Sequence, residues 1–348
     1  HPSTIQWGLA VDMSKIGTPT AHAIACLAGI TGNIDNPGGN ILIDQACGLE
    51  FGYNSGIEYL KEGMVEKRLG NSKYNLKKYG FTASSQSDCI LVACETGLDE
   101  KGDPRPVNML WIQSANPITN MGQDAPRIYR AWKNVPYTVV VDYYLTPTAV
   151  AFADLVLPVA MSVERDSFRS WWQPLRTITA SAGRYYECKM DEELVLDLGK
   201  RFNPKFFNQF NDVHEFLTYM IQDDGYGVDY TFDDLNKKVY DWWDFNETYK
   251  KYEKGLLRED GNPGFVTATG LYEIYSPLFD VWGFDPLPHH MEPFESPYST
   301  PELYKEYDLC LTTGARDYAF YHSAWTNIAH QRILEPWPYI ELNDEDAK

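Results

Sequence analysis

The sequence predicts an α/β protein, with Rossmann-like three-layer domains built on a parallel sheet. Two observations carry this. The short apolar runs 137–141 and 155–159, bounded by Asp and Pro, have the length and composition of strands buried on both faces. Strand-like and helix-like stretches also alternate: 89–93 and 108–113 read as strands, 124–133 as a helix and 137–141 as the next strand, a βαβ rhythm. In open α/β sheets ligands bind beyond the carboxyl ends of the strands. There the first run delivers Asp142, followed by Thr146 and Thr148. The second is preceded by Asp154 and followed by Glu164, Arg165 and Asp166. No G-x-G-x-x-G precedes this pair, which counts against a simple NAD-binding fold.

The remaining elements follow in chain order. Residues 17–32 read as a helix capped by Thr18, with Pro19 in its first turn, Ile24, Leu27 and Ala28 on one face, and Gly32 at its end. The turn-rich Asp35-Asn36-Pro37-Gly38-Gly39-Asn40 reads either as a cradle of backbone amides for an anion or as an ordinary loop after a helix. Residues 47–85 are aromatic, Gly-rich and charged without a steady period, as a long excursion over a cleft would be. Beyond the βαβ region, 191–202 is helical with Leu194, Leu198 and Phe202 on one stripe. Helices are also expected over 212–222 and 231–240, capped by Asp212 and Thr231. Residues 264–276 alternate like a strand, Pro286, Pro288, Pro293, Pro297 and Pro301 mark a linker, and 307–311 reads as a strand opening a new unit.

Bulk properties narrow the function classes. A chain of 348 residues, 44% apolar, can bury at least two cores. A formal charge of −19 argues against nucleic acid or an anionic membrane as partner, so a polyanionic cofactor would need a local Arg cluster working against that field. The 24 Tyr, 16 Phe and 10 Trp suit packed interfaces or a pocket lined by rings. Six scattered cysteines, Cys26, Cys47, Cys89, Cys94, Cys188 and Cys310, show neither C-x-x-C spacing nor a disulfide framework and read as buried free thiols; no metal ligand set is visible. No apolar run is long enough for a membrane span and no leader opens the chain. Beginning at His1 and ending at Lys348, it is expected to be a piece of a longer protein.

Several separate stretches carry a resemblance, in consistent order: QWGLAVDMSKIGTPTAHAIACLAGITGNIDNPGGN, WIQSANP, VVVDYYLTPTAVAFADLVLPVAMSVERDSF, GFVTATGLYEIYS, TTGARDYAFYHSAWTNI and PYIELNDEDA. Together they resemble the molybdopterin-guanine-dinucleotide oxidoreductases, the dimethyl-sulfoxide-reductase-like superfamily. The resemblance implies a central-to-carboxy-terminal fragment of a catalytic subunit that holds bis-molybdopterin guanine dinucleotide with Mo or W. The metal ligand, and a 4Fe-4S cluster where the protein has one, would then lie upstream. Residues 1–285 would supply parts of two α/β cofactor-binding domains, 286–306 a linker, and 307–348 the start of a carboxy-terminal β-barrel. A small-molecule substrate and an iron-sulfur electron-transfer subunit would be its partners, in a prokaryotic cytoplasm or cell envelope.

The same resemblance assigns residues. Asn116 matches the asparagine that meets the nucleotide end of one cofactor, and Asp142 the carboxylate beside the guanine, where an ionised acceptor suits adjacent N–H donors. Arg165 matches a basic residue near the ribose-phosphate part and Asp191 another acid at the nucleotide. Thr313, Gly314, Arg316 and His322 match the segment crossing the pterin end, and Trp7 and Gly8 the place where the chain passes the metal. No residue is assigned as general acid or base. Plainer roles stand beside these: Asp142 and Asp154 as turn caps, Arg165 as a solvated partner of Glu164 or Asp166, Arg316 in a structural salt bridge, and His322 and Trp7 as packed core rings. Two departures fall in cofactor-touching segments, Thr146-Pro147-Thr148-Ala149 for Thr-Glu-Thr-Ala and Ala315 before Arg316. The Thr-Gly-Ala-Arg form and GNIDNPGGN look most like the branch holding acetylene hydratase, pyrogallol transhydroxylase and catechol dehydroxylases. Oxygen-atom or hydroxyl transfer on a small, catechol-like substrate is the expected chemistry. The alternative is a cofactor-less structural subunit of a respiratory complex with the same fold.

Overall fold

A computed structural model describes residues 2–42, 60–79, 85–120, 124–170, 175–222, 228–241, 248–312, 319, 327–337 and 339–348. In chain order the elements that frame the site begin with helices α1 (Leu9–Asp12), α2 (Gly17–Ile30), α3 (Asn75–Tyr79) and α4 (Ser87–Thr96). Next come strand β1 (Met109–Gln113), helices α5 (Pro117–Asn120) and α6 (Ala125–Trp132), strand β2 (Tyr137–Asp142), helix α7 (Pro147–Phe152) and strand β3 (Leu155–Pro158). Strands β4 (Ser167–Ser170) and β5 (Leu175–Ile178) lead to helices α8 (Asp191–Phe202), α9 (Pro204–Phe207), α10 (Val213–Gln222) and α11 (Phe232–Lys238), and to strand β6 (Tyr240–Asp241).

The parallel sheet runs β1-β2-β3, with Trp111 opposite Val139 and Val141 opposite Leu157. The pleat of β2 explains its three layers. Val140, with Ile112, faces a core filled by Leu91 and Cys94 of α4, Ile128 and Trp132 of α6, and Phe152 of α7. Val139 and Val141 point the other way, onto Val159 and Leu194 of α8. All three valines are buried, each contributing about 1.5–3 kcal/mol, and so the run lacks polar alternation. Asp154 is structural: its carboxylate accepts from the Thr138 amide at 2.7 Å, and so ties the entry of β3 to β2.

A second, antiparallel sheet, β4-β5-β6, backs onto α10 and α11 through Leu175, Leu217, Ile221, Phe232 and Leu235. Thr231 caps α11 by accepting from the Asp234 amide at 3.2 Å, and Asp212 accepts from Glu215 at 2.9 Å ahead of α10, as their positions predict. A third region wraps α2. Gly32 ends that helix region in the left-handed conformation (φ 68°). Segment 248–285 then folds back over it, with the Tyr272 hydroxyl donating to the Ala25 carbonyl at 2.6 Å. Among the described residues no helix is long and apolar enough to cross a membrane.

Several expectations are corrected. Residues 89–93 are helix α4, not a strand; five apolar residues fit either period, and the αL Gly97 (φ 71°) closes the helix. Among the described residues, 264–276 and 307–311 form no strand; the first runs through turns held to α2, and the second has no ladder partner. Thr18 lies inside α2 and does not cap it; Ile16 holds the cap position with no side-chain bond. Leu27 and Phe202 are exposed, the buried faces of their helices centring on Cys26 and Ala28, and on Leu196 and Gly199. In the 35–40 turn the Asp35, Gly39 and Asn40 amides are spent on backbone carbonyls, and the Asp35 carboxylate binds Lys251. Cys26, Cys89 and Cys94 are buried free thiols; Cys188 is half-buried and Cys310 exposed. Residues 47–59, with Cys47, and 80–84 of the expected excursion lie outside the described residues, as do 313–318, 320–326 and 338 of the expected barrel segment.

Candidate functional site

The carboxyl ends of β1, β2 and β3 and the first turn of α8 meet at one polar crevice. β1 ends in Gln113, and Ser114 then takes a positive φ of 53°, its amide held by the Val141 carbonyl at 3.2 Å. A non-glycine in that region is a strained turn of the kind that collects at functional sites. It leads into Asn116, only 6% exposed, whose Oδ1 accepts from the Thr148 hydroxyl at 2.6 Å and the Thr148 amide at 3.2 Å. Asn116 thus locks the β1 end to the start of α7, while Thr146 caps that helix by accepting from Ala149.

Asp142 closes β2 and accepts from the Tyr144 amide at 3.3 Å through Oδ1. Arg165 is not a solvated surface partner of its neighbours. Glu164 accepts from the Met161 and Tyr185 amides, and Asp166 from the Ala180 amide and His214. The Arg165 side chain, 18% exposed, instead donates through Nη1 to Asp191 Oδ2, and its buried Nε has no partner among the described residues. The other Asp191 oxygen accepts from Gln113 Nε2 at 2.5 Å. Glu192 follows, one oxygen accepting from Ser167 Oγ at 2.5 Å and the other 3.9 Å from Arg165 Nη1. The first turn of α8 carries Asp191, Glu192 and Glu193, a favourable placement at the positive end of a helix. Burial raises the Tyr143 hydroxyl pKa; the field of Arg165 opposes this, while Asp191, Asp142 and Glu192 add to it.

Four of the expected residues, Asn116, Asp142, Arg165 and Asp191, therefore stand around the ends of one sheet. Gln113, Tyr143, Ser167 and Glu192 were missed by sequence reasoning. Gln113 was findable, since it ends the strand beside Asp142; the others became neighbours only through the packing of α8. Guanidinium, carboxylates and amide form a set of donors and acceptors suited to a nucleoside, and the orphaned Arg165 Nε and Glu192 Oε2 leave bonding capacity for one.

Trp7 and Gly8 lie elsewhere. Trp7, 43% exposed, stands in the wall of a 1520 Å³ cleft beside α2, together with Lys15, His22, Phe265, Tyr272 and Phe279. The buried His22 Nε2 has no partner among the described residues, and its ring meets Phe279 edge-on at 5.4 Å. Gly8 is exposed, and among the described residues nothing lies within 4 Å of where a Cβ would stand. Thr313, Gly314, Arg316 and His322 lie outside the described residues. Among the described residues no His, Cys, Asp and Glu side chains cluster as a metal site.

The fold is that of the open α/β proteins, with the polar cluster at the carboxyl ends of its parallel strands. No family model matches the chain. It is 26% identical over 416 residues to the dopamine dehydroxylase of Eggerthella lenta, covering 99% of this chain and 40% of that protein. It is 25% identical over 374 residues to the acetylene hydratase of Syntrophotalea acetylenica, covering 100% and 48%. A dimethyl sulfoxide reductase of Escherichia coli is 26% identical over 363 residues, covering 94% and 41%. Among solved structures, the acetylene hydratase from Pelobacter acetylenicus shares the fold with a TM-score of 0.76 at 24% identity, over 96% of this chain and 47% of that one. The chain is a homologue of the molybdopterin oxidoreductases that its six segments resemble. It spans less than half the length of these relatives.

Proposed function

We propose that this chain is the central cofactor-binding part of the catalytic subunit of a molybdenum or tungsten oxidoreductase, holding the nucleotide end of one molybdopterin guanine dinucleotide at the strand ends. The observation that carries the reading is the linked set Gln113, Asp191 and Arg165 beside Asp142, at the carboxyl ends of β1 and β2. Asp142 would accept from the guanine edge; Asp191 and Arg165 would hold the sugar side, with Asn116 bracing the turn beneath them. When bound, the cofactor supplies the redox chemistry of oxygen-atom or hydroxyl transfer, and the chain supplies position and electrostatics. Thr313, Gly314, Arg316 and His322 would reach the pterin end, from a barrel domain beginning near residue 307.

The cleft beside α2 is a suitable chamber for a small organic substrate. Its rings offer stacking surfaces, and His22 and Lys15 offer polar contacts. One relative is named for dehydroxylation of dopamine, and a catechol-like substrate suits such a wall. An electron-transfer subunit is the expected partner. Metal and nucleotide analysis of the full-length protein, purified without oxygen, tests the reading. Stoichiometric Mo or W with guanine nucleotide supports it. Absence of both overturns it in favour of a cofactor-less structural subunit.

A further inference from the structure

The cleft beside α2 is walled by rings and small side chains, and several of its polar groups are spent on the protein itself. Tyr272 donates to the Ala25 carbonyl at 2.6 Å and Thr267 to the Leu271 carbonyl at 2.8 Å, while Glu273 accepts from the Thr269 hydroxyl at 2.9 Å. The Lys15 ammonium lies 3.2 Å from the centre of the Phe294 ring. His22 differs from all of these. Among the described residues neither of its ring nitrogens has a hydrogen-bond partner; Nε2 is enclosed, whereas Nδ1 is not. The edge-on contact with Phe279, at 5.4 Å and 86°, holds the ring in the cleft wall.

This asymmetry decides what the imidazole presents. A neutral ring has one N–H and one lone pair. An N–H on Nε2 would be enclosed with nothing to receive it, and buried N–H groups without a partner are rarer in proteins than under-satisfied acceptors. The proton therefore belongs on Nδ1, and the cleft receives a donor. Beside it Thr18, Ala21 and Ala25 follow one another along one face of α2, and their small side chains leave room for a flat ring. We propose that His22 orients a small aromatic substrate, donating from Nδ1 to an oxygen on its ring, while the ring lies over Thr18, Ala21 and Ala25. An anionic ligand is disfavoured, since the chain carries a formal charge of −19 and no arginine lines the cleft among the described residues. The ligand class is a neutral or cationic arene that bears an oxygen acceptor. This inference rests on the reading of the cleft as the substrate chamber, and makes His22 the residue that selects within it.

The test uses the full-length protein and two probes of matching shape, anisole and ethylbenzene, with binding measured by ligand-observed NMR titration. Anisole accepts a hydrogen bond, and ethylbenzene does not. The ratio of anisole to ethylbenzene affinity should fall about three- to tenfold in His22→Phe, which keeps a ring against Phe279 but has no N–H. His22→Asn, whose side-chain nitrogen is attached at the same carbon as Nδ1, should keep the ratio within about twofold of the wild type. Ala25→Leu, which fills the floor, should weaken both probes by about fivefold or more. Should His22→Phe fail to fold, His22→Leu gives the same comparison. A ratio that does not move in the variant lacking the N–H overturns the proposal. Binding of both probes that Ala25→Leu leaves intact places them elsewhere and overturns it too. Neither result bears on the cofactor reading, which the metal and nucleotide content of the same preparation reports. A wild type that binds neither probe removes the substrate chamber together with the inference.

Discussion

Two regions of this molecule set acid beside base, and they are finished differently. In the turn after α2, Asp35 and Lys251 are 0% and 1% exposed, and their bonding is closed. Asp35 accepts from the Lys251 ammonium and the Lys251 amide, each at 2.7 Å, and from the Leu42 amide at 3.2 Å; the ammonium also donates to the Thr248 carbonyl at 2.9 Å. At the strand ends, Arg165, Asp191 and Glu192 are only partly covered, and among the described residues Arg165 Nε and Glu192 Oε2 have no hydrogen-bond partner. A buried pair whose charged atoms are all hydrogen-bonded holds segments together. The anchored pair with capacity left over is the one at the proposed site.

Breaking the closed pair should have the largest effect. Lys251→Met leaves an uncompensated buried carboxylate and is expected to lower stability by about 3–5 kcal/mol, read from urea unfolding of the full-length protein. Adding Asp35→Asn should recover part of that loss, since no unpaired charge then remains buried. The same region offers a smaller, steric probe. A Cβ on Gly29 would lie 2.2 Å from the Tyr272 ring, so Gly29→Ala should cost about 1–3 kcal/mol in the same measurement.

On the open side stability should barely move while binding does. Asp142→Ala is expected to leave the unfolding midpoint in place and weaken retention of guanine nucleotide by about 1–3 kcal/mol, measured as nucleotide content after gel filtration. Wild-type retention in this variant would remove Asp142 from the site. The smallest effect belongs to a third acid, at neither site. Burial would raise the Glu100 carboxyl, but hydrogen bonds from the Gly70, Glu100 and Ser72 amides and the Ser72 hydroxyl outweigh it and pull it from 4.5 down to about 2. A folded-state value below the unfolded one means stability is gained above about 4.5 and lost as pH falls through about 2. Melting temperatures of wild type and Glu100→Gln should therefore differ near neutral pH and converge as pH falls towards 2.

Much of the sheet was legible because its signals are local. The run 137–141 is apolar at every position except Thr138, which only a strand covered on both faces requires, and Asp142 follows where the strand must end. Helices α10 and α11 announced themselves through their capping residues, Asp212 and Thr231, and α8 through its apolar periodicity. By contrast 89–93 carried no period that separates helix from strand, and 264–276 alternated with no sheet to join. For both, the neighbour decided: α6 beside the first, α2 beneath the second.

The crevice divides along the same line. Chain order alone identifies Asp142, Asn116 and Arg165 as polar residues at or after strand ends, because strand direction and length determine where a side chain emerges. Whether Arg165 faces solvent or a ligand depends on α8, which starts 26 residues later and brings Asp191 and Glu192 to it. Asn116 shows the same dependence: its bond to Thr148 follows from the approach of β1 and α7, and gives a residue expected at the nucleotide a bracing role as well. The sequence by itself determined the parallel strands and the acid at their ends, through periodicity and chain direction. Which charges close on each other and which stay open was decided by tertiary packing, because a hydrogen bond depends on distances between segments that no local pattern specifies.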